Sequence, residues 1–549
     1  MLSQLTKLPA NARVGVVGGG VAGLTFTYFL GKLRPDVQIT LFNPESRPGG
    51  WIHSWHTQGP DGRPVMLERG PRTFRGVSDG TVLILDTLMQ LGHGDNIRSV
   101  SKDSSADRKF VLDPRDRLVQ VPNSLGSLAR FLASPLSKGL LWGLAGEWAR
   151  KPVGADAPDE SAEALLTRRF GSPYPARNLF SAVYRGIYAD DVGRLSAQKA
   201  VGRMVRDERA HGSLTAAAWA RWRSAKADTS AAPELSPLVA AYGRALGRDA
   251  QELRSLAHRL AQFPMLGLTG GLQQFPDAFQ AAVARFPNVA LCTGTVTGLR
   301  GGAGAGDKQA VALEYTDAQG AQHKGKFSHV RLAVAPNRMA PLVAGANAPL
   351  FSKLNAIRSN TVSLVNMYIP GKDIVPAQFR GFGYLVPESN ANPEKLLGVI
   401  FDSVIEQSFA PFAVADGAAP AAPATAAAAA PAGIYTKLTA MVGGSLYNDA
   451  EGHPTIPSEA ETIARVKRAL SRHLGASPTD LDGAQWLHTV ARDCLPQFVP
   501  GYGAQAAEIE RAVLADYAQG VSLGGMGFAR GPGIPDVVSD AFTDAMKLH

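Results

Sequence analysis

Cysteine is nearly absent from this sequence of 549 residues, which contains only Cys292 and Cys494. Two cysteines cannot build a disulfide framework, a paired-cysteine zinc site or an iron–sulfur centre, so the chemistry must come from other groups. We therefore predict no metal site. The sequence also lacks the Arg-rich helix or basic-aromatic patch that is typical of nucleic-acid-binding proteins, and we predict that nucleic acid is not a partner.

Long apolar segments are also missing. No run of about 18 apolar residues is free of proline and charge, which argues against a membrane-spanning helix. The nearest candidate, residues 413–433, is interrupted by Pro420, Pro423 and Pro431. Because this segment consists mainly of alanine, proline and glycine, we predict a disordered surface insertion. Residues 1–13 are too short and too weakly basic to make a convincing targeting signal.

Positive charge is in excess. The chain has 56 Lys and Arg residues against 47 Asp and Glu, which gives a formal net charge of +9. Such a balance suits anionic small molecules or acidic lipid surfaces. With 45% hydrophobic residues, a chain of this length can bury a large core, and we expect it to form two or three domains.

A βαβ unit is predicted at the N-terminus. Residues 13–17 have the apolar pattern of a buried parallel strand, residues 24–33 that of a helix, and residues 37–42 that of a second strand. The glycine pattern between the first strand and the helix is the loop whose backbone amides bind a dinucleotide diphosphate. The predicted cofactor contacts in this loop are Gly18, Gly19, Gly20, Val21, Ala22 and Gly23.

The end of the second strand departs from the usual pattern. Dinucleotide-binding proteins carry an acid there that bonds to the ribose, but this chain has Asn43. An amide can still bond to ribose hydroxyls, though without the help of a charge. Either Asn43 or Glu45 therefore binds the ribose, or Asn43 only begins a turn with Pro44.

Two further glycine motifs indicate which dinucleotide is bound. Arg47, Gly49, Gly50 and Trp51 follow the second strand, and a Glu-Arg-Gly-Pro-Arg segment occupies residues 68–72. The first motif is similar to one that flavoproteins of the amine-oxidase superfamily carry at this point. Near the C-terminus, residues 521–525 predict a last strand, and a helix opens after Gly533 with amides suited to a flavin or its diphosphate.

The middle of the chain is predicted to be mixed. Residues 80–209 have mainly helical spacing, whereas strand patterns occur at 289–292, 310–315, 329–334, 362–368 and 397–401. Within the helical part, an apolar stripe with basic flanking residues fits either a core helix or a helix on a membrane surface. The stripe is formed by Leu136, Leu140, Leu141, Leu144 and Trp148.

Several segments together resemble one enzyme family, the oxygen-dependent protoporphyrinogen oxidases of eukaryotes, which belong to the flavin amine-oxidase superfamily. The segments that carry the resemblance include RPGGWI, ERGPR, RGIYADD, GFGYLVP and FDSV. The resemblance implies an α/β fold with a Rossmann-like FAD-binding domain of the p-hydroxybenzoate-hydroxylase type, a β-sheet substrate domain and an inserted helical membrane-binding domain. The expected segments are 1–78, 262–330 and 490–549 for FAD, 79–120, 209–261 and 331–489 for substrate, and 121–208 for the membrane.

The resemblance also implies an activity. Members of this family oxidise protoporphyrinogen IX to protoporphyrin IX in haem biosynthesis, passing six electrons through noncovalent FAD to three O2 and releasing three H2O2. It further implies a homodimeric, monotopic protein on the mitochondrial inner membrane. Two alternatives stay open: a catalytically impaired porphyrin-binding flavoprotein, and another flavin amine oxidase or desaturase.

The resemblance assigns site residues by position. The flavin contacts that it adds to the glycine loop and to Asn43, Arg47, Gly49 and Gly50 are Trp51, Gly70, Pro71, Arg72, Thr73, Val296, Gly533, Ile534 and Pro535. The substrate contacts are Arg185, Gly186, Phe382, Gly383 and Leu385, with Phe382 stacked on a pyrrole ring.

Two roles rest on charge. The family arginine that pairs with a substrate propionate falls on Lys109, beside Arg108. Because lysine lacks the bidentate fork of arginine, either of the two could serve. Arg72 is the predicted catalytic residue, which orients substrate or flavin; the alternative for Arg72 is a structural salt bridge.

Overall fold

The computed structural model describes residues 5–154, 156–227, 234–301, 310–412, 433–449 and 451–549. The predicted disordered insertion, except for Gly433, lies outside the described residues. The strands are β1 Arg13–Val17, β2 Gln38–Asn43, β3 Ser54–Gln58, β4 Pro64–Glu68, β5 Ile97–Val100, β6 Lys109–Leu112, β7 Leu118–Gln120, β8 Met265–Leu268, β9 Val289–Arg300, β10 Val311–Asp317, β11 Gln322–Phe327, β12 His329–Leu332, β13 Ser359–Pro370, β14 Gly383–Leu385, β15 Leu396–Ile400, β16 Ala410–Pro411, β17 Tyr435–Gly443, β18 Gln485–Pro496 and β19 Val521–Leu523.

The α-helices are distributed along the whole chain. They are α1 Val21–Leu33, α2 Asp79–Gln90, α3 Leu125–Leu132, α4 Leu140–Gly146, α5 Ala162–Phe170, α6 Ser181–Tyr188, α7 Ala197–Ala200, α8 Gly202–His211, α9 Leu214–Ala227, α10 Pro237–Leu246, α11 Ala250–Leu260, α12 Gln274–Val283, α13 Pro336–Val343, α14 Ala348–Asn355, α15 Asp402–Gln407, α16 Glu459–Leu474, α17 Pro478–Asp482, α18 Tyr502–Asp516 and α19 Ile534–Leu548.

The first large sheet has seven strands in the order β11-β10-β9-β2-β1-β12-β19. Strands β9, β2, β1, β12 and β19 run parallel, and β10 and β11 extend the sheet as an antiparallel hairpin. Val14 and Val16 on the central strand are fully buried, as expected when helices cover both faces of a parallel sheet. Helix α1 packs against α19, with Phe29 in edge-to-face contact with Phe542.

The second large sheet also has seven strands, in the order β18-β13-β17-β15-β14-β6-β7. All neighbouring pairs are antiparallel except β14 with β6. One face of β13, β15, β17 and β18 turns toward the cavity described below. The remaining strands form a three-stranded sheet, β16-β5-β8, and the β3-β4 hairpin.

Most local predictions are confirmed. The predicted βαβ unit corresponds to β1, α1 and β2, and the five predicted strands in the middle of the chain correspond to β9, β10, β12, β13 and β15. The last strand and the helix after Gly533 are β19 and α19. The assignment of residues 80–209 as mainly helical needs a correction, because β5, β6 and β7 lie at residues 97–120. These strands have only three or four residues each, too few to produce a clear alternating pattern.

The apolar stripe at 136–148 is not one helical face, which corrects the sequence-based interpretation. Leu136 lies in a 3₁₀ turn and is buried, and α4 begins only at Leu140, after Gly139 in the left-handed region. The turn breaks the helical repeat, so Leu136 faces the core. Trp142 is 86% exposed and Trp148 is 72% exposed.

The domain division remains a prediction, and two of its limits fall inside strands. Residue 330 lies within β12, a strand of the first sheet, and residue 490 lies within β18, a strand of the second. Helices α10 and α11, in the predicted substrate segment 209–261, pack through Val239 and Leu253 into the same buried cluster as α1 and α2. None of the helices in the described ranges has both the length and the apolar content needed to cross a membrane.

Candidate active site

The glycine loop joins β1 to α1 in a backbone conformation that requires glycine. Gly18 has φ of +109°, and a Cβ on Gly23 would lie 2.0 Å from the carbonyl oxygen of Gly18. A Cβ on Gly20, by contrast, would meet only the Cα of Gly50, at 3.9 Å. Gly18 and Gly23 are therefore needed for the turn, whereas Gly20 leaves open space at the N-terminus of α1. That space, beside the free amides of the first helical turn, fits a dinucleotide diphosphate.

Asn43 ties the glycine loop to the segment that follows β2. Its Oδ1 accepts from the Gly19 amide at 3.3 Å, while its Nδ2 donates to the carbonyls of Glu45 and Arg47 at 2.6 and 3.1 Å. These bonds are those of a turn-forming residue, one of the three alternatives for this position. The Glu45 carboxylate is exposed and pairs with Arg47 at 3.3 Å.

Arg47 holds the Pro-Gly-Gly-Trp loop through hydrogen bonds to the loop's own carbonyl groups. Its guanidinium donates to the carbonyls of Pro48, Gly50 and Ile52. Gly49 has φ of +103°, and its amide donates to the carbonyl of Gly19 at 2.9 Å. These bonds place the second glycine motif directly against the glycine loop, so that backbone without side chains surrounds the open space.

The Glu-Arg-Gly-Pro-Arg segment lies against the same loop. A Cβ on Gly70 would be only 1.9 Å from the carbonyl oxygen of Trp51, so any other residue there would force the two segments apart. Glu68 is buried, and burial raises the pKa of its carboxyl group. It accepts hydrogen bonds from Ser54 at 2.9 Å and from the Leu272 amide at 2.8 Å. These bonds hold the segment against β3 and the residues before α12.

A cavity of about 370 Å³ lies between one face of the second large sheet, helix α6 and the loops around residues 69–73 and 526–533. It brings together six of the predicted flavin contacts: Trp51, Gly70, Pro71, Arg72, Thr73 and Gly533. Three of the predicted substrate contacts also line it: Arg185, Gly186 and Phe382. Predicted flavin contacts and predicted substrate contacts, although far apart in sequence, thus line the same cavity. A reaction between two bound molecules requires such an arrangement.

The floor of this cavity is apolar. Neighbouring strands of the second sheet supply Val362, Leu364, Leu397, Met441 and Ala491. No histidine, aspartate, glutamate or lysine occurs among its described lining residues. The ionisable groups there are three arginines and the thiol of Cys494, whose pKa burial raises to about 12. A thiol in that state stays protonated, so the wall can position and shield a substrate but offers no strong base.

Arg72 lines the cavity and pairs with the first residue of α15, the helix that follows β15. Its guanidinium forms an ion pair with Asp402 at 2.5 Å, and both side chains are less than 10% exposed. The other oxygen of Asp402 accepts from the Thr439 hydroxyl at 2.7 Å, which in turn accepts from the Asn366 amide at 2.8 Å. The salt bridge that the sequence left as an alternative is therefore present, and it uses a side chain that also lines the cavity.

Arg185 lies at a second position on the cavity wall. Its Nη2 pairs with Asp191 at 2.5 Å, and its side chain is 5% exposed. Next to it on α6, a Cβ on Gly186 would lie 2.8 Å from Leu385. A side chain at residue 186 would therefore have to displace the end of the Leu385 side chain where α6 packs against β14.

Phe382 lines the cavity just before β14, where its amide donates to the carbonyl of Arg108 at 2.7 Å. Gly383 has φ of +143°, and a Cβ there would lie 2.1 Å from the Val399 carbonyl oxygen. Gly383 and Leu385 do not line the cavity. Their positions serve the packing that holds Phe382 in place.

The predicted propionate partners are placed differently from expectation. Lys109 is half-exposed and bonds to the carboxylate of Asp107 at 2.7 Å, and neither Arg108 nor Lys109 lines the cavity. Their backbone lies beside Gly383 in the sheet, which explains why sequence position alone brings them close to the site. Val296 lies buried in β9, and Ile534 and Pro535 form the first turn of α19, outside the cavity wall.

Sequence reasoning missed several wall residues, among them Arg69, Ile187, Met441, Cys494 and Met526. Arg69 belongs to a motif that was recognised, but its side chain contacts Thr489 on β18, 420 residues away, and local sequence does not show such a contact. The aliphatic positions carry no chemical signal that distinguishes a cavity wall from an ordinary core.

Three comparisons with known proteins agree with this architecture. A family model described as an NAD(P)-binding Rossmann-like domain matches residues 16–87. The protoporphyrinogen oxidase of Saccharomyces cerevisiae is 47% identical over 552 residues, which cover 100% of both chains. The human protoporphyrinogen oxidase is 27% identical over 97% of this chain and 98% of its own. The crystal structure of a candidate protoporphyrinogen oxidase from Exiguobacterium sp. 255-15 has a TM-score of 0.67 at 18% identity, covering 98% of this chain and 99% of that one.

The parallel sheet, the glycine loop and the second sheet define the class of the protein: it has an α/β Rossmann-like fold that binds FAD or NAD(P), with additional sheets. Within this class the full-length similarity to the yeast enzyme is decisive. The chain belongs to the protoporphyrinogen oxidase family.

Proposed function

We propose that this protein oxidises protoporphyrinogen IX to protoporphyrin IX in haem biosynthesis, with FAD as cofactor, O2 as electron acceptor and H2O2 as by-product. The observation that carries the proposal is one cavity in which flavin-contact and substrate-contact positions of the family meet, in a chain that is 47% identical over its full length to the yeast enzyme.

The residues present fit FAD. The glycine loop and the Pro-Gly-Gly-Trp loop offer backbone amides around an open space at Gly20, and Gly70, Thr73 and Gly533 continue that backbone surface into the cavity. We assign FAD to these segments, held noncovalently. When bound, FAD supplies the acceptor for hydride and the centre from which O2 takes up electrons.

The chain's own contribution is positioning. Each two-electron oxidation removes one hydride from a carbon bridge of the macrocycle and releases one proton, and three such rounds remove six electrons. Because the described cavity wall has no imidazole or carboxylate, the residues act by holding a bridge carbon in place on the apolar floor. Phe382 provides an aromatic face for a pyrrole ring, and Arg72, fixed by Asp402, orients the substrate or the flavin.

A membrane-surface location belongs to the same proposal. The region 121–227 exposes aromatic and aliphatic side chains to solvent, including Trp142, Trp148, Trp219 and Trp222, and Lys138 lies over the ring of Tyr174 at 3.8 Å. Exposed tryptophans beside cations are typical of proteins that rest on the membrane interface. We assign this surface to a monotopic contact with the mitochondrial inner membrane, and we expect a homodimer.

One assay tests the proposal. Protoporphyrinogen is non-fluorescent and protoporphyrin is strongly fluorescent, so catalysed fluorescence growth under air, above the rate of spontaneous oxidation, is the expected result. An FAD-loaded protein that binds porphyrin and leaves that rate unchanged would instead favour the impaired flavoprotein.

A further inference from the structure

We propose that Arg69 is the cation that binds a propionate of the substrate, an assignment that rests on the proposed function. Three arginines line the cavity: Arg69, Arg72 and Arg185. A porphyrinogen brings its negative charge only through carboxylates, so one of these guanidinium groups is the natural partner.

Two of the three arginines already have an anion. Arg72 is paired with Asp402 and Arg185 with Asp191, each at 2.5 Å. A propionate that bound to either arginine would lie close to the aspartate already paired with it, and repulsion between the two carboxylates opposes binding.

Arg69 has neutral partners instead. Its Nε donates to the hydroxyl of Thr489 at 2.8 Å, and its guanidinium carbon lies 5.5 Å from the ring centre of Trp55. Within the described parts of the chain, no carboxylate forms an ion pair with it. Burial and the nearby Arg47 lower the pKa of Arg69, so its positive charge is poorly compensated, and an incoming anion relieves that cost.

The geometry of Arg69 also suits a carboxylate. Thr489 accepts from the Nε–H. Within the described residues neither terminal nitrogen donates a hydrogen bond, so both can form the parallel, two-bond arrangement that guanidinium makes with a carboxylate. The backbone is held on both sides, because the Arg69 amide donates to the carbonyl of His53 at 2.9 Å and Gly70 is wedged against Trp51. Thr489 pairs with Leu364, whose side chain belongs to the apolar floor. Arg69 therefore stands at the edge of the surface on which the macrocycle rests.

The test compares a porphyrin with and without its carboxylates. Protoporphyrin IX and its dimethyl ester are titrated into FAD-loaded wild type, Arg69→Met and Arg69→Lys, and Kd is followed by fluorescence. We expect Arg69→Met to weaken binding of the free acid at least about tenfold and of the ester less than about twofold. Arg69→Lys, which keeps the charge without the fork, should fall between. Arg492→Met, on the same strand as Thr489 but exposed and off the cavity wall, is the matched control.

Several results would overturn the assignment. In Arg69→Met, these results are an equal loss of affinity for the free acid and the ester, an unchanged Kd for the free acid, or loss of FAD without a change in porphyrin binding. A loss of affinity for the free acid but not the ester in Arg108→Met or Lys109→Met would also overturn it. Turnover of protoporphyrinogen by wild type is measured in parallel. If wild type is inactive but Arg69→Met still weakens binding of the free acid and not of the ester, the proposed function alone is contradicted. If wild type is active and Arg69→Met keeps the parent's Kd for the free acid, the propionate assignment alone is contradicted.

Discussion

Arg72 and Asp402 are separated by 330 residues and form a buried ion pair at 2.5 Å that ties the Glu-Arg-Gly-Pro-Arg segment to the start of α15. Asp402 begins α15, and its second oxygen is held by Thr439. The pair fixes a cavity-lining cation in one orientation and also joins the two halves of the site.

Removing one partner of this pair should cost more than removing both. Asp402→Asn leaves a buried guanidinium without its anion, for which we expect a loss of about 3 kcal/mol in the free energy of unfolding. Arg72→Met combined with Asp402→Asn should recover part of that loss, since no guanidinium is then left buried without its anion. Equilibrium denaturation of the two single variants and the double variant measures the coupling. Additive losses would show that the two charges do not depend on each other.

Gly20→Val should empty the flavin site without unfolding the protein. Gly20 has φ of −69°, and a Cβ there meets only the Cα of Gly50 at 3.9 Å, so the polypeptide itself accommodates a side chain that the diphosphate does not. The expected result is absence of flavin absorbance after gel filtration, with melting equal to that of FAD-depleted wild type. Gly23→Val is the contrasting variant, because its Cβ would clash with backbone at 2.0 Å and should lower Tm of the FAD-depleted protein as well. Full flavin absorbance in Gly20→Val would remove the glycine loop from the site.

Phe382→Ala should raise KM for protoporphyrinogen by roughly tenfold, the effect of losing about 1.4 kcal/mol of ring contact. A fall in kcat is also expected, since a macrocycle that is free to shift holds its bridge carbon less well. Phe379→Ala is the control: Phe379 is partly buried against Phe110 but does not line the cavity. Equal kinetics for both variants would place the porphyrin elsewhere.

Acid should destabilise the protein through two buried histidines. Burial, aided by Arg331 and Arg472, lowers the pKa of His329 and of His473 to about 4. Each stays neutral when folded, while the unfolded chain takes up a proton near pH 6.5, so stability is full above that pH and is lost as pH falls from about 6.5 to about 4. Each group adds a slope of up to about 1.4 kcal/mol per pH unit in this window. His329→Gln should lower the slope of unfolding free energy against pH in this window, measured by equilibrium denaturation at several pH values. An unchanged slope would show that His329 does not contribute to acid destabilisation.

Trp142→Ser with Trp148→Ser should reduce co-sedimentation with anionic vesicles by several fold. Both rings are largely exposed, so their removal costs little packing and Tm should hold. Ile434→Ser, which removes an exposed apolar side chain outside the helical region, is the control. Undiminished binding by the double tryptophan variant would mean that this surface does not rest on the membrane.

Much of the first sheet could be predicted because its buried parallel strands appear as short apolar runs, and the glycine pattern marks where β1 turns into α1. The strands at residues 97–120 and the start of the helical region left weaker signals. Strands β5 to β7 are too short to show a period, and the interruption at Gly139 separates Leu136 from α4, which no count of apolar spacing reveals.

Charge partners in the site were the least predictable feature. Asp107 forms an ion pair with Lys109, two residues away in sequence. Asp402 and Arg72 form an ion pair only because folding brings them together. Arg69 was visible in its motif, yet the lack of a carboxylate beside it in the described residues depends on the pairing of β18 with β13. Local sequence identified several residues that line the cavity, but the partners of each charge are fixed by tertiary structure.

The most direct measurement of the central claim is the stoichiometry of the aerobic reaction with purified, FAD-loaded protein. Protoporphyrin is followed by fluorescence, O2 by an electrode and H2O2 by a peroxidase-coupled dye, with protein-free oxidation subtracted. The account predicts three O2 consumed and three H2O2 released for each protoporphyrin formed, and no catalysis by Gly20→Val. Catalysed oxidation of an amine or a polyene in place of the porphyrinogen, or porphyrin formation that Gly20→Val leaves unchanged, would contradict it.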